Sequence, residues 1–140
     1  MKRVVCLTIA VLLFKFINGI YAQDISLNYP EEVYVGQEFY LTVFLEDFDE
    51  DVYDIKIEIM NGTKNIAQRL WEDEWKSTYY WMYEAINTSE NNDKTFRLKI
   101  TDDYKGVADI NVKVKSDEFD DEFPEGEINI LNDGSYESND

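Results

Sequence analysis

Four stretches of this chain alternate apolar and polar residues with a period of two, and nothing else in the sequence limits the fold as tightly. From Glu38 onward, Phe39, Leu41, Val43 and Leu45 fall on one side, with Tyr40, Thr42, Phe44 and Glu46 on the other. Tyr53, Ile55, Ile57 and Ile59 alternate with Asp54, Lys56, Glu58 and Met60. The rhythm returns at Phe96, Leu98 and Ile100, and again at Ala108, Ile110, Val112 and Val114. Successive side chains of a strand point to opposite faces, so each stretch gives one apolar face and one wet face. Four such strands separated by turn residues predict an all-β chain of antiparallel sheets packed face to face.

Weaker strands flank these four. Ile25 to Tyr29 is short and stops at Pro30, and Val33 to Val35 runs into the turn residues Gly36-Gln37. Asn61-Gly62 is a hairpin signal, so Lys64 to Trp71 is expected to return antiparallel to the strand before it. The stretch from Trp75 to Ile86 carries two incompatible patterns. Trp75, Tyr79, Met82 and Ile86 recur at helical spacing with Ser77 or Thr78 as a cap, which favours a short helical turn near residues 77–86. Read as a strand, the same segment places Tyr79, Trp81 and Tyr83 on one face, with Tyr80 and Met82 opposite.

The ends differ from the middle. Residues 1–22 have the order of a secretory signal: Lys2 and Arg3, the apolar stretch Val4 to Phe14, and a short exit ending at Ala22. That apolar stretch is shorter than the roughly 20 residues a spanning helix needs. Cleavage after Ala22 therefore predicts a secreted or cell-surface protein with no membrane-spanning helix of its own. The only cysteine, Cys6, leaves with the signal, so residues 23–116 must form a single domain held by apolar burial rather than disulfides. Residues 117–140 carry ten acids and no basic residue, with a small apolar island at Ile128, Ile130 and Leu131. This composition predicts a disordered acidic tail, the island being its one means of docking as an edge strand.

The order of elements resembles an immunoglobulin-like β-sandwich of prokaryotic surface proteins, and in particular the cell-adhesion-related domain called CARDB. The resemblance rests on Val35-Gly36-Gln37-Glu38-Phe39, on the acidic loop from Glu46 to Asp51, and on Ile55 to Ile59 followed by Asn61-Gly62. Gly106-Val107-Ala108-Asp109-Ile110 completes it. It covers roughly residues 25–115 and departs at 71–86, which is longer and more aromatic than the usual connection. The resemblance implies a single sandwich of about seven strands. It also implies a non-catalytic extracellular binding or structural module, with a protein or a surface polymer as partner.

The side-chain inventory narrows the chemistry. With no histidine anywhere and no cysteine after residue 22, Ser-His, Cys-His and His-based zinc sites are excluded from the exported chain. Ten basic residues face thirty acidic ones after the signal, a balance that repels nucleic acid and anionic membranes. No enzyme is expected, and no cofactor is required. Two features are candidates for contact with a ligand. The first is an aromatic cluster of six rings within residues 71–83, of which Trp71, Trp75, Tyr79 and Trp81 are the candidate ligand-contacting residues. The same rings could instead close one end of the sandwich as part of its core. The second is the acidic loop 46–54, where Asp47, Asp49 and Asp51 sit at alternate positions, as at the start of a calcium loop. The loop lacks the glycine and final glutamate of an EF-hand and reads equally as a solvated turn. Together these features support the alternative of a carbohydrate- or calcium-dependent ligand-binding domain. Asn61-Gly62-Thr63 and Asn87-Thr88-Ser89 are N-glycosylation sequons at Asn61 and Asn87.

Overall fold

A computed structural model describes residues 22–133 and contains two packed sheets, with no helix among those residues. Eleven strands follow in chain order. They are β1 (Asp24–Asn28), β2 (Glu32–Tyr34), β3 (Glu38–Glu46), β4 (Val52–Asn61), β5 (Lys64–Asn65) and β6 (Ala67–Trp71). Then come β7 (Glu74–Ser77), β8 (Met82–Asn87), β9 (Asp93–Ile100), β10 (Gly106–Lys115) and β11 (Asp120–Leu131). The first sheet has the order β1-β3-β9-β6-β7, and the second has the order β2-β11-β10-β4-β5, with β8 also paired to β4. Pairing is antiparallel except where β2 lies parallel to β11. The runs β1-β3-β9-β6 and β11-β10-β4 reproduce the ABED and GFC order of an immunoglobulin sandwich. The expected signal segment, with Cys6, lies outside the described residues, as do residues 134–140 of the expected tail.

The period-two pattern builds the core as its parity requires. Leu41 and Val43 of β3 and Leu98 of β9 face Ile55, Ile57 and Val112 across the sandwich, all effectively without solvent contact. At about 25 cal/mol per Å2 of apolar surface buried, each such side chain contributes roughly 1.5–3 kcal/mol. Phe48 enters the core from the loop after β3, its ring 5.2 Å from Tyr53 and 5.1 Å from Phe119, edge-on to both.

Three expectations are corrected. Of the expected return from Lys64 to Trp71, only Lys64-Asn65 pairs with β4; from Ala67 the chain crosses to the first sheet, where β6 pairs with β9. The acidic tail expected from residue 117 is ordered over Asp120–Leu131, where it forms β11 between β10 and β2. Phe123, Ile128 and Ile130 bury their side chains in the core, which supplies the driving force that net charge obscured. Part of the charge is offset as well: Asp120 lies opposite Lys115 and Glu122 opposite Lys113, although Glu127 faces Asp109. The small apolar island was thus the visible part of a full strand. The helical turn expected near residues 77–86 is also absent. Thr78 donates its N–H to the Ala67 carbonyl, Tyr80 turns back onto Ser77, and Met82 pairs with Ile55 in β8. Aromatic packing onto a sheet prevails there over helical spacing.

Gly126 marks where β11 meets the β1–β2 crossover. A side chain at this position would run into the Tyr29 hydroxyl, which donates to the Glu127 carbonyl at 3.0 Å. Gly126→Ala is therefore expected to lower stability by about 1–3 kcal/mol, the usual cost of overpacking. In a Tyr29→Phe background, where the blocking oxygen is gone, the cost should be smaller. Urea unfolding of the four proteins measures this, and strict additivity would contradict the contact.

Candidate functional site

Tyr79, Trp81 and Tyr83 leave the chain at alternate positions, as strand parity dictates, and lie across the outer face of the second sheet. The outward residues there are Lys56 of β4 and Lys115 of β10. Lys56 Nζ sits 4.7 Å from the Tyr79 ring centroid and 4.9 Å from that of Trp81. Lys115 Nζ sits 4.2 Å from Trp81 and 5.6 Å from Tyr83. Rings and ammonium groups thus alternate along the segment, each contact worth about 0.5–2 kcal/mol depending on desolvation. A bulge at Glu84, with φ of 54°, lets the chain rejoin β4 at Ile86, and the Glu84 N–H donates to Asp54 Oδ1 at 2.8 Å.

Trp71 packs against the core beside Phe96, but the tyrosine rings do not. Tyr79, Tyr80 and Tyr83 are 62%, 55% and 61% exposed, while Trp71 and Trp81 are half-buried. Only Thr78, Met82, Ala85 and Ile86 of this segment turn inward. On the flank where the chain crosses from β7 to β8, a cleft of about 330 Å3 opens between the two sheets. Trp71, Tyr79 and Trp81 line it together with Tyr80 and Tyr83, so three of the four candidate contact residues converge. Trp75 does not. It lies on the outer side of the first sheet, under Lys99 Nζ at 4.2 Å.

Three cations missed in the sequence also line the cleft: Lys56, Arg69 and Lys76. Arg69 occupies the inward parity of β6, between Ala67 and Trp71, and is only 3% exposed. Its Nη2 donates to the carbonyls of Tyr80 and Trp81 at 3.5 and 3.4 Å, and its Nε has no hydrogen-bond partner. Burial lowers its pKa, with Glu74 acting in the opposite direction. Sequence parity hid Arg69: counted from the hairpin at Asn61-Gly62 it falls on the outer face, and it turns inward only because the chain crosses to the first sheet at Ile66-Ala67, where two successive residues are buried.

The acidic loop is organised without a cation. The Tyr53 hydroxyl donates to the Asp49 carbonyl at 2.8 Å, and Thr88 Oγ1 donates to the same carbonyl at 3.0 Å. Asp51 Oδ1 accepts the Val52 N–H at 2.8 Å, while Asp47 and Asp49 are exposed. Among the described residues no three acidic side chains come together as metal ligands, so Asp47, Asp49 and Asp51 do not form the expected calcium site. Apolar anchoring by Phe48 separates them. Of the two sequons, Asn61 is exposed at the β4–β5 turn. Asn87 is half-buried, and its Oδ1 accepts from the N–H and hydroxyl of Ser89.

Comparison of the chain with protein-family models and with curated proteins finds no match.

Burial also lowers the pKa of Lys56, which is 7% exposed; the Glu58 carboxylate opposes this, and Lys113 and Lys115 add to it. A base with a depressed folded pKa subtracts from stability at neutral pH, and the deficit vanishes as pH rises through the folded value toward the unfolded one. Lys56→Met keeps an unbranched stem against the rings and removes the charge. Removing the charge relieves its desolvation but forfeits the two ring contacts, so stability relative to the parent is expected to be greatest near pH 7 and to fall as pH rises through the folded pKa of the lysine. Urea unfolding across neutral and alkaline pH measures this, and a difference independent of pH would contradict the assignment.

Proposed function

We propose that this chain is an exported, non-catalytic binding module, of the immunoglobulin-like kind found on prokaryotic surfaces, that holds a carbohydrate chain against its aromatic flank. One observation carries the reading: the rings of residues 79–83 project from the sandwich beside a cleft instead of filling its interior. Exposed tyrosines grouped on a rigid sheet are contact residues more often than structural ones, since solvent-facing rings contribute little to folding. The cleft volume falls at the small end of the range for ligand sites, and its lining mixes aromatic faces with a few polar groups. The signal-like order of residues 1–22 supports action outside the cytoplasm. The missing histidine and cysteine support a module that binds without transforming its ligand.

Affinity electrophoresis through gels containing neutral and acidic polysaccharides tests this reading. At least one polymer is expected to retard the protein. Tyr79→Ala and Tyr83→Ala are each expected to weaken that retardation about tenfold, equivalent to ~1.4 kcal/mol. Both substitutions fall on exposed rings, so unfolding stability should drop by no more than the lysine contacts each ring makes, about 0.5–2 kcal/mol, and the fold should be kept. Unretarded migration through every polymer, or a double variant that binds like the parent, would contradict the proposal.

A further inference from the structure

We infer that the cleft is the seat of an acidic sugar, with Arg69 receiving its carboxylate or sulfate group; this deepens the carbohydrate reading and rests on it for the identity of the ligand. A guanidinium offers five N–H donors in a planar fork suited to carboxylate and sulfate oxygens. Arg69 is buried, yet its Nε donates to nothing, its Nη2 contacts are long, and no carboxylate oxygen lies within ion-pair distance among the described residues. A buried cation without a counter-charge is costly to maintain. The sandwich does not need one there. An apolar side chain on the inward parity of β6 would extend the core beside Ala67. Glu74 offsets the charge only in part, acting on Arg69 from beyond ion-pair distance while its Oε2 lies 3.6 Å from Lys76 Nζ, and Glu72 is exposed in the β6–β7 turn.

The surroundings fit an anionic ring. Lys56, Arg69 and Lys76 outnumber Glu72 and Glu74 in the lining, on a chain whose formal charge is −17. Local charge therefore has the opposite sign to the whole. The overall negative field is screened within about 8 Å at physiological ionic strength. Tyr80 and Trp81 supply both the apolar walls and the carbonyls that Nη2 contacts, and Arg69 lines the cleft, so an anion seated there would lie against the guanidinium.

The test follows the Arg69 Nε–H resonance of the full exported chain by NMR, titrated separately with glucuronate, a sulfated monosaccharide and glucose. A saturable shift is expected with glucuronate, with the sulfated sugar, or with both, and the acidic sugar that produces it identifies the charged group. Glucose should give none. Arg69→Met, followed through the Trp81 indole resonance, should weaken acidic-sugar binding at least tenfold while raising the unfolding midpoint. Arg69→Lys should retain part of the binding. An Arg69 resonance indifferent to both acidic sugars, an equal response to glucose, or undiminished binding by Arg69→Met would overturn the inference. Retention of neutral polysaccharide with an unresponsive Arg69 would remove the anion seat and leave the aromatic contact face standing. A responsive Arg69 in a protein that binds no polymer would do the reverse.

Discussion

β4 is buried on both faces, and the outer half of that burial depends on Lys56 lying against Tyr79 and Trp81. The inner face is ordinary: Ile55, Ile57 and Ile59 enter the core. On the outer face Lys56 and Glu58 are also buried, which for two charged residues requires cover and partners. Glu58 has them, in Lys113 at 3.2 Å and the side-chain amides of Asn65 and Asn111. Lys56 has rings in place of a close carboxylate. The crossing segment from β7 to β8 is pinned over the sheet by that contact and by the Met82–Ile55 pairing below it.

Lys56 and Arg69 share a physical oddity. Both are cations shielded from water, both have pKa values lowered by burial, and among the described residues neither has a carboxylate within ion-pair distance. A sandwich selected only for stability would place apolar side chains at both positions. Residues that subtract from stability and cluster around one cleft are the pattern expected where binding competes with folding. The anion seat follows from this clustering, whereas the contact face follows from the exposure of the rings.

The fold was legible because parity is robust. Leu41, Ile57, Leu98 and Val112 each sit in runs long enough that no helical period fits them, and all four are buried as expected. β11 was hidden by its charge. Phe123, Ile128 and Ile130 are separated by a bulge at Glu125, which breaks the alternation, and the acids that suggested a repelling tail are partly offset by Lys113 and Lys115 only once β10 is placed beside them. The aromatic segment was ambiguous for a different reason. Trp75, Tyr79, Met82 and Ile86 imitate a helix because a turn and a bulge change the parity twice within twelve residues. Tyr79 and Trp81 were recognisable as contact candidates by type. Arg69 and Lys56 were not, because their significance lies in what fails to pair with them, a property of three-dimensional packing.

The central claim is that the Lys56 ammonium group lies against two aromatic rings, Tyr79 and Trp81, on the outside of the second sheet. Ring-current shifts of the Lys56 side-chain methylenes, measured by NMR, test it most directly. The account predicts that the δ and ε protons move well upfield of an exposed lysine, and that Tyr79→Ala reduces the displacement. Lys56 methylenes at the shifts of a free lysine would contradict it.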